Sequence, residues 1–308
     1  MSVIWITGAG GFLGGRLAQM CAGQGSRVGG FGPGFSEGQA GDVFAAVEAG
    51  YLCHPALDRM ERKAGLPDTV FHLAGGSTVR GSVTDPQKDF AKSVESTAVL
   101  LHWLYLRGAR PTVVLSSSAA VYGAELTSPA RESDVLAPHS PYGAHKVVAE
   151  EMVAVYQPIL AIDAAIVRLF SVYGPGLKKQ FIWDFTRKVL EGSPVDRMFG
   201  TGTETRDWIY VDDACRLLMR AAERATKPLV TLNGGTGQGT EIATVASMIC
   251  RLIGLRPELG YVGFREPSDP GYLVADTGYL ASLGNFGCEV TLEAGLRETV
   301  AWIKTQTG

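Results

Sequence analysis

Several things are scarce in this 308-residue chain, and each scarcity narrows what it can be. Neither sign of charge dominates: 28 Lys and Arg against 31 Asp and Glu leave a formal net charge of −3. Neither nucleic acid nor an anionic membrane surface is therefore an expected partner. The five cysteines, Cys21, Cys53, Cys215, Cys250 and Cys288, are scattered without a C-x-x-C pair. An odd number at such spacings reads as reduced thiols rather than a disulfide framework or a zinc site. Five scattered histidines add no support for a metal, and none is expected. No apolar run reaches the ~20 residues of a bilayer span. The first residues lack the basic and apolar regions of a signal peptide. No internal repeat or low-complexity tract is visible. A cytoplasmic globular protein is the expectation, and 46% hydrophobic against 19% charged residues is the balance of a chain that buries a large core.

Glycine, by contrast, is plentiful, with 39 residues. The stretch from Val3 to Gly15 is the most telling use of it. Val3-Ile4-Trp5-Ile6-Thr7 reads as a buried strand that breaks into Gly8, Gly10, Gly11, Gly14 and Gly15, and Arg16 to Ala22 reads as a helix. Strand, glycine turn and helix make a phosphate cradle, since the backbone can approach a pyrophosphate and the helix N-terminus attracts its charge. Gly8, Gly11, Phe12, Leu13 and Gly14 are the candidate residues for holding a dinucleotide.

Further along, strand patterns recur at Ser26 to Phe31, Thr69 to Leu73, Pro111 to Leu115 and Ala165 to Phe170, with helical or irregular segments between, including 42–65. The sequence therefore predicts an α/β protein with a Rossmann-type, doubly wound parallel sheet. The dinucleotide-binding region is expected over 1–167 plus about 212–235. A smaller C-terminal lobe that binds the substrate is expected over 168–211 and 236–308. Thr69 to Gly76 is again strand into glycine, so Leu73, Ala74 and Gly75 offer a second backbone edge to a cofactor. His72 at that strand's end reads as a packed core histidine rather than a base. A long helix from Asp85-Pro86 to about Arg107 is apolar on nearly every face around Trp103, which means burial in the core or against another subunit. A homodimer is expected on that ground.

Tyr142 and Lys146 lie four apart on a predicted helix, so both project from one face. A phenol ionises near pKa ~10, and a nearby ammonium favours the phenolate. The pair makes a general acid/base suited to a sugar or alcohol oxygen. Ser118, at the end of the strand before it, can hydrogen-bond the same oxygen.

Together these motifs are similar to a known family. Thr7-Gly8-x-x-Gly11-x-x-Gly14, His72-Leu73-Ala74, Ser116-Ser117-Ser118-Ala119-Ala120-Val121-Tyr122-Gly123 and Tyr142-x-x-x-Lys146 resemble the extended short-chain dehydrogenase/reductases. Phe170 to Pro175, Arg206 to Asp213 and Ala275-Asp276 extend the resemblance to the nucleotide-sugar epimerase/dehydratase branch. It implies a catalytic set of Ser118, Tyr142 and Lys146, with Lys146 and Ser116 also at the cofactor. It implies substrate contacts at Ser118, Ser171, Gln180, Arg206 and Arg265, with Arg206 on the phosphates of a sugar nucleotide. A structural ion pair of Arg206 with Asp212 or Asp213 is the alternative. Phe181 and Trp183 are candidates for stacking on a base or for the core.

The departures from the branch carry information. Ser171 stands where the branch has Asn. Arg265-Glu266-Pro267 stands for its C-terminal arginine segment. Ala119 and Ala120 replace the acidic pair of the dehydratases, which argues against dehydration. Gly32 and Tyr51 occupy the places of two carboxylates that anchor NAD, and no acid follows Gly32 before Glu37. The expected cofactor is NADP or a loosely held NAD. A loosely held cofactor suits a reductase of a 4-keto sugar nucleotide, which is the leading expectation. A 4-epimerase is the alternative, and a non-catalytic dinucleotide sensor is a third reading that the intact Ser118, Tyr142 and Lys146 disfavour.

Overall fold

The apolar run at the N-terminus forms an interior strand of a seven-stranded sheet. The computed structural model describes residues 1–35, 41–76, 78–266, 268–284 and 286–306. Strands β1 (Val3–Thr7), β2 (Arg27–Gly32), β3 (Ala46–Ala49), β4 (Thr69–His72), β5 (Thr112–Ser118) and β6 (Ala164–Leu169) pair in parallel in the order β3-β2-β1-β4-β5-β6. After the short β7 (Ser171–Tyr173) and β8 (Thr205–Tyr210), strand β9 (Val230–Gly234) joins the sheet beside β6. The order reverses between β1 and β4, the arrangement of a doubly wound dinucleotide fold, in which ligands sit beyond the carboxyl ends of the strands at the reversal.

The helices of this sheet are α1 (Phe12–Gly23), α2 (His54–Ala64), α3 (Val79–Thr84), α4 (Pro86–Phe90), α5 (Ser96–Arg107) and α6 (Pro141–Leu160). The core gathers Trp5, Leu57, Met60, Leu101, Trp103, Leu104 and Ile166. Trp5 and Trp103 meet with ring centroids 5.3 Å apart. Trp103 Nε1 donates to Asp58 Oδ1 at 2.7 Å, which lets its polar edge accompany the ring into the interior.

Two local expectations need correction, those for 42–65 and for the long helix, while the second strand forms as expected. The segment 42–65 contains strand β3, a four-residue parallel edge built partly of Ala and Glu, too short and too weakly β-forming to show in the pattern. β2 forms despite its glycines because they make room: a Cβ on Gly29 would lie 2.6 Å from Met60 Sδ, and one on Gly30 2.8 Å from the Phe44 ring. The long helix from Pro86 is interrupted by one π turn, Ala91–Glu95. Its α5 portion buries Leu100, Leu101, Trp103 and Leu104 but leaves Tyr105 and Leu106 exposed.

The chain divides into two compact units, Met1–Tyr122 with Val135–Leu169 and Cys215–Leu232, and Gly123–Asp134 with Phe170–Ala214 and Asn233–Gly308. The stretch 123–134, counted with the dinucleotide region in the sequence, packs with the second unit. There the Asn233 amide donates to the Ala130 carbonyl at 2.7 Å and Ala130 bridges to Ala275. The second unit is built round β8, which pairs in parallel with β7 and antiparallel with β10 (Gly239–Glu241). A further parallel partner is β11 (Tyr272–Leu273). Asp207 on β8 is fully buried and accepts hydrogen bonds from Thr236 N, Thr236 Oγ1, Gly237 N and Ala275 N. A buried carboxylate supplied with this many donors ties three segments together. The remaining helices are α7 (Gln180–Leu190), α8 (Val211–Arg224), α9 (Ile242–Ile253), α10 (Gly278–Ser282) and α11 (Leu292–Gln306).

Candidate active site

The glycine cradle takes shape at the end of β1. Gly8 turns with φ +71°, in the left-handed region that favours glycine. The Gly11 amide donates to the Gly8 carbonyl at 2.9 Å. A Cβ on Gly14 would strike that carbonyl and the Ala9 backbone, so only glycine lets α1 begin this close to the strand. Gly11 caps α1 without a side-chain hydrogen bond. The first N–H groups of the helix thus face the turn, where a pyrophosphate can take them. The site fits a dinucleotide, with Phe12 and Leu13 in the first turn of α1.

The ribose side of the cradle is less well furnished. β2 ends at Gly32, and Tyr51, after β3, is exposed. Glu48 is register partner to Phe31, but it is bound by Arg59 Nε at 2.7 Å and Lys63 Nζ at 2.8 Å. Glu37 lies outside the described residues.

The catalytic candidates converge at the end of β5. Ser140 caps α6 by accepting from Gly143 N at 3.2 Å, with Pro141 in the first turn. That start aims Tyr142 and Lys146 at Ser116 and Ser118. The Ser118 side chain acts on the Tyr142 phenol, and Lys146 Nζ donates to the Ser116 carbonyl at 2.8 Å. A Cβ on Gly75 would stand 2.8 Å from that nitrogen. The loop after β4 therefore meets the lysine at Gly75, and Ala74 N donates to Thr7 Oγ1 at 3.0 Å.

The electrostatics differ from the sequence expectation. Burial raises the Tyr142 phenol above its ordinary value, the polar Ser118 side chain pulls it down, and the Asp89 charge pushes it up again. The Lys146 ammonium lies 5.9 Å from the centroid of the tyrosine ring and donates to the Ser116 carbonyl. Burial brings Lys146 itself down to about 8, against the opposing pull of Asp89 and Glu150.

Behind the serines lies a buried network. Ser117 Oγ donates to Glu150, and Arg168 grips both oxygens of Glu150 and reaches the Tyr122 hydroxyl at 3.0 Å. Burial works against the Arg168 charge, but the bonds to Glu150 outweigh it and hold the guanidinium above its ordinary value. This network is what keeps Ser116 to Ser118 in place.

His72 is the buried residue its sequence setting implies. Thr97 Oγ1 gives its hydrogen to the Ser93 carbonyl, so it accepts from Nε2–H of His72 at 3.0 Å. Nδ1 is left to accept from Thr7 Oγ1 at 2.8 Å. Burial, with Lys146 nearby, lowers its pKa to about 3, so the ring is neutral.

The substrate candidates belong to the second unit. Arg206 is largely shielded, its side chain 11% exposed, and Nη2 pairs with Asp269 Oδ1 at 2.6 Å. Arg265 donates to the carbonyl of the same Asp269. Neither alternative partner from the sequence holds Arg206: Asp213 instead accepts from Glu289 N and Val290 N. Burial lowers Arg206 below the usual guanidinium value, with Asp269 opposing. Ser171 lies on β7, in register with Trp208. Gln180 opens α7 with φ +68°, a strained conformation for a residue with a side chain. Phe181 stacks on Phe185 with centroids 5.3 Å apart, and Trp183 packs on Trp302 at 5.4 Å, so both rings have partners within the unit.

Asp89, His145, Glu150 and Asp269 are functional neighbours that the sequence reading passed over. His145 was within the Tyr-x-x-x-Lys motif itself; the others carry no local signal. Among the described residues no three His, Cys, Asp or Glu side chains gather as metal ligands. No described helix is long and apolar enough to cross a membrane.

A glycine cradle after β1, a serine ending β5 and Tyr-x-x-x-Lys on the next helix define a dinucleotide-dependent enzyme of the short-chain dehydrogenase/reductase type. The NAD dependent epimerase/dehydratase family model matches residues 4–233, and the chain belongs to that family. A UDP-glucuronate 4-epimerase of Thermodesulfobacterium geofontis is 30% identical over 76% of this chain and 72% of its own. MoeE5, solved in complex with UDP-glucuronic acid and NAD, is 30% identical with a TM-score of 0.86, covering 98% of this chain and 99% of that one. A UDP-glucose 4-epimerase of Thermotoga maritima, solved with UDP-glucose, is 26% identical with a TM-score of 0.89, covering 99% of this chain and 100% of that one. The protein is an NAD(P)-dependent enzyme of this family.

Proposed function

We propose that this enzyme is a nucleotide-sugar 4-epimerase that takes a UDP-hexose or UDP-hexuronic acid. The observation that carries the reading is the gathering of Tyr142, Ser118 and the buried Lys146 at the end of β5, where Lys146 Nζ donates to the Ser116 carbonyl. When bound, the nicotinamide ring accepts and returns a hydride. Tyr142 takes the proton of the C4 hydroxyl as the sugar is oxidised and returns it when the ketone is reduced from the other face. Ser118 orients that oxygen, and Lys146 holds positive charge beside it. Arg206 and Arg265, joined through Asp269, supply guanidinium forks suited to a diphosphate. Ala119 and Ala120 provide no acid for removing water, which speaks against dehydration. The relatives that carry epimerase names favour this reading over the reductase that the sequence placed first.

One observation keeps reduction of a 4-keto sugar nucleotide as a second reading. Gly32 and Tyr51 leave the ribose side without the expected carboxylates, which favours a cofactor that exchanges. Incubation of the purified protein with UDP-glucose or UDP-glucuronate, without added cofactor, separates the two by NMR of the sugar. The 4-epimer is expected. Turnover only of a 4-keto sugar, with stoichiometric use of NAD(P)H, would establish the reductase instead.

The proposal includes a homodimer. Tyr105 and Leu106 on α5, with Val148, Val155 and Ile159 on α6, are exposed apolar side chains on two helices that pack together. Light scattering is expected to return twice the chain mass of 32.7 kDa, and a monomer would reject it. A cytoplasmic location is part of the same reading and is tested by fractionation.

A further inference from the structure

Two ionisable side chains beside Tyr142 and Lys146 have no part in the chemistry above. His145 lies between them on α6, and its Nδ1 stands 2.6 Å from Oδ2 of Asp89. A carboxylate only accepts, so Nδ1 carries the shared hydrogen. Asp89 is 5% exposed, and the Phe90 ring meets the imidazole edge-on at 5.4 Å. A carboxylate kept this far from water needs surroundings built to hold it.

The surroundings are built that way. Asp85 caps α4 by accepting from Lys88 N at 2.9 Å, which sets the direction in which Asp89 leaves the helix. Directly after Phe90 the helix widens into the π turn, and such turns re-aim side chains, frequently at functional sites. From that turn Ser93 Oγ accepts from Gly76 N at 2.9 Å, binding the loop after β4 to the helix. Gly76 in turn leaves the space that Asp89 occupies, since a Cβ there would fall on Oδ1. Gly75 does the same for the Lys146 ammonium. Two consecutive glycines thus receive a carboxylate and an ammonium.

We propose that Asp89, clamped by His145, is a positioning residue of the catalytic centre: its carboxylate is the fixed negative charge against which the Tyr142 hydroxyl and the Lys146 ammonium work. A charge of this sign opposes the phenolate and favours the ammonium. Asp89 acts in that sense on both, raising Tyr142 and supporting Lys146 against its own burial. The other charged groups on the elements packed here are differently placed. Glu150 on α6 is tied to Ser117 and Arg168. Lys88 on α4, Glu95 on the π turn and Arg80 on α3 are exposed, and Lys92 is half-buried. His72 at the end of β4 is neutral in its core.

The inference rests on Tyr142 as the acid/base, and the experiment keeps the two separable. The tyrosinate absorbance of each protein minus that of its Tyr142→Phe counterpart isolates the ionisation of Tyr142 without turnover. Asp89→Asn is expected to move that titration about one pH unit lower. Gly76→Ala, which displaces the carboxylate and leaves both ionisable groups in the chain, is expected to move it in the same direction. His145→Asn keeps a donor near the Nδ1 position and should restore the wild-type curve, whereas His145→Leu should not. The acid limb of the kcat profile should follow to lower pH in Asp89→Asn. An unmoved Tyr142 titration in folded Asp89→Asn or Gly76→Ala protein overturns the proposal, whatever the activity. Full turnover by Tyr142→Phe would instead overturn the acid/base reading, with the charge coupling still read from the absorbance.

Discussion

Arg168 holds Glu150 by two nitrogens, Nε at 3.1 Å to Oε1 and Nη2 at 2.8 Å to Oε2, in an interior where both side chains are under 10% exposed. The pair lies on β6 and α6, the elements on either side of the serines that end β5. It couples the position of the catalytic serine strand to the helix that carries Tyr142.

Removing one member of this pair strands the other charge in the interior. Glu150→Ala is expected to destabilise the fold by about 3–5 kcal/mol, whereas a well-packed apolar replacement of both residues costs much less. Urea midpoints of the single and double variants check this. Similar losses for both would show that packing, not charge, decides.

Tyr142→Phe removes the hydroxyl that moves the proton and leaves the ring. Turnover should fall by about 10²- to 10⁴-fold, with the melting temperature little changed. Ser118→Ala should act in the same direction with a smaller loss, since it orients the oxygen rather than exchanging its proton.

His72 gives stability a pH dependence of known sign. Its folded value of about 3 lies below the ordinary imidazole value of 6.5, so the unfolded chain binds the proton first. The stability it lends is present above pH 6.5 and drains away as pH falls towards about 3. The slope reaches at most about 1.4 kcal/mol per pH unit. Urea titrations across that window should show a shallower slope in His72→Gln.

The cradle glycines are unequal. Gly14→Ala drives a methyl into the Gly8 carbonyl and should abolish dinucleotide binding. Gly23→Ala, at the other end of α1 with nothing within 4 Å of its Cβ, should leave binding intact and stabilise the helix by about 0.5–1 kcal/mol. Protein fluorescence on titration with NADH distinguishes the two.

Gly32 can accept a side chain, because the nearest atom to its Cβ is Gly10 N at 3.4 Å. Gly32→Asp should supply the missing ribose acceptor and tighten NAD binding by about tenfold. Calorimetry with NAD and NADP checks it, and the gain should be confined to NAD.

Much of this was legible before any coordinates. The cradle was readable because strand, turn and helix follow one another within a few residues, and Gly8 and Gly14 meet through local geometry. Tyr142 and Lys146 were readable for the same reason, being one helical turn apart. β3 was not, since four residues with Val47 as their one strong β-former leave no periodicity to detect. The rise of the Tyr142 phenol on burial was not either. A spacing of four places two side chains on one face but does not say that the ammonium turns to the Ser116 carbonyl.

By itself the sequence determined the alternation of strands and helices, the phosphate-binding turn and the candidates for the acid/base set, because each is written in residues close along the chain. Tertiary structure alone decided that Arg206 answers to Asp269, that Glu150 and Arg168 brace the serine strand, and that Asp89 stands at Tyr142 and Lys146. Those partners lie tens of residues apart. They meet only through the tertiary fold, and at Lys146 and Asp89 it is Gly75 and Gly76 that leave the necessary room.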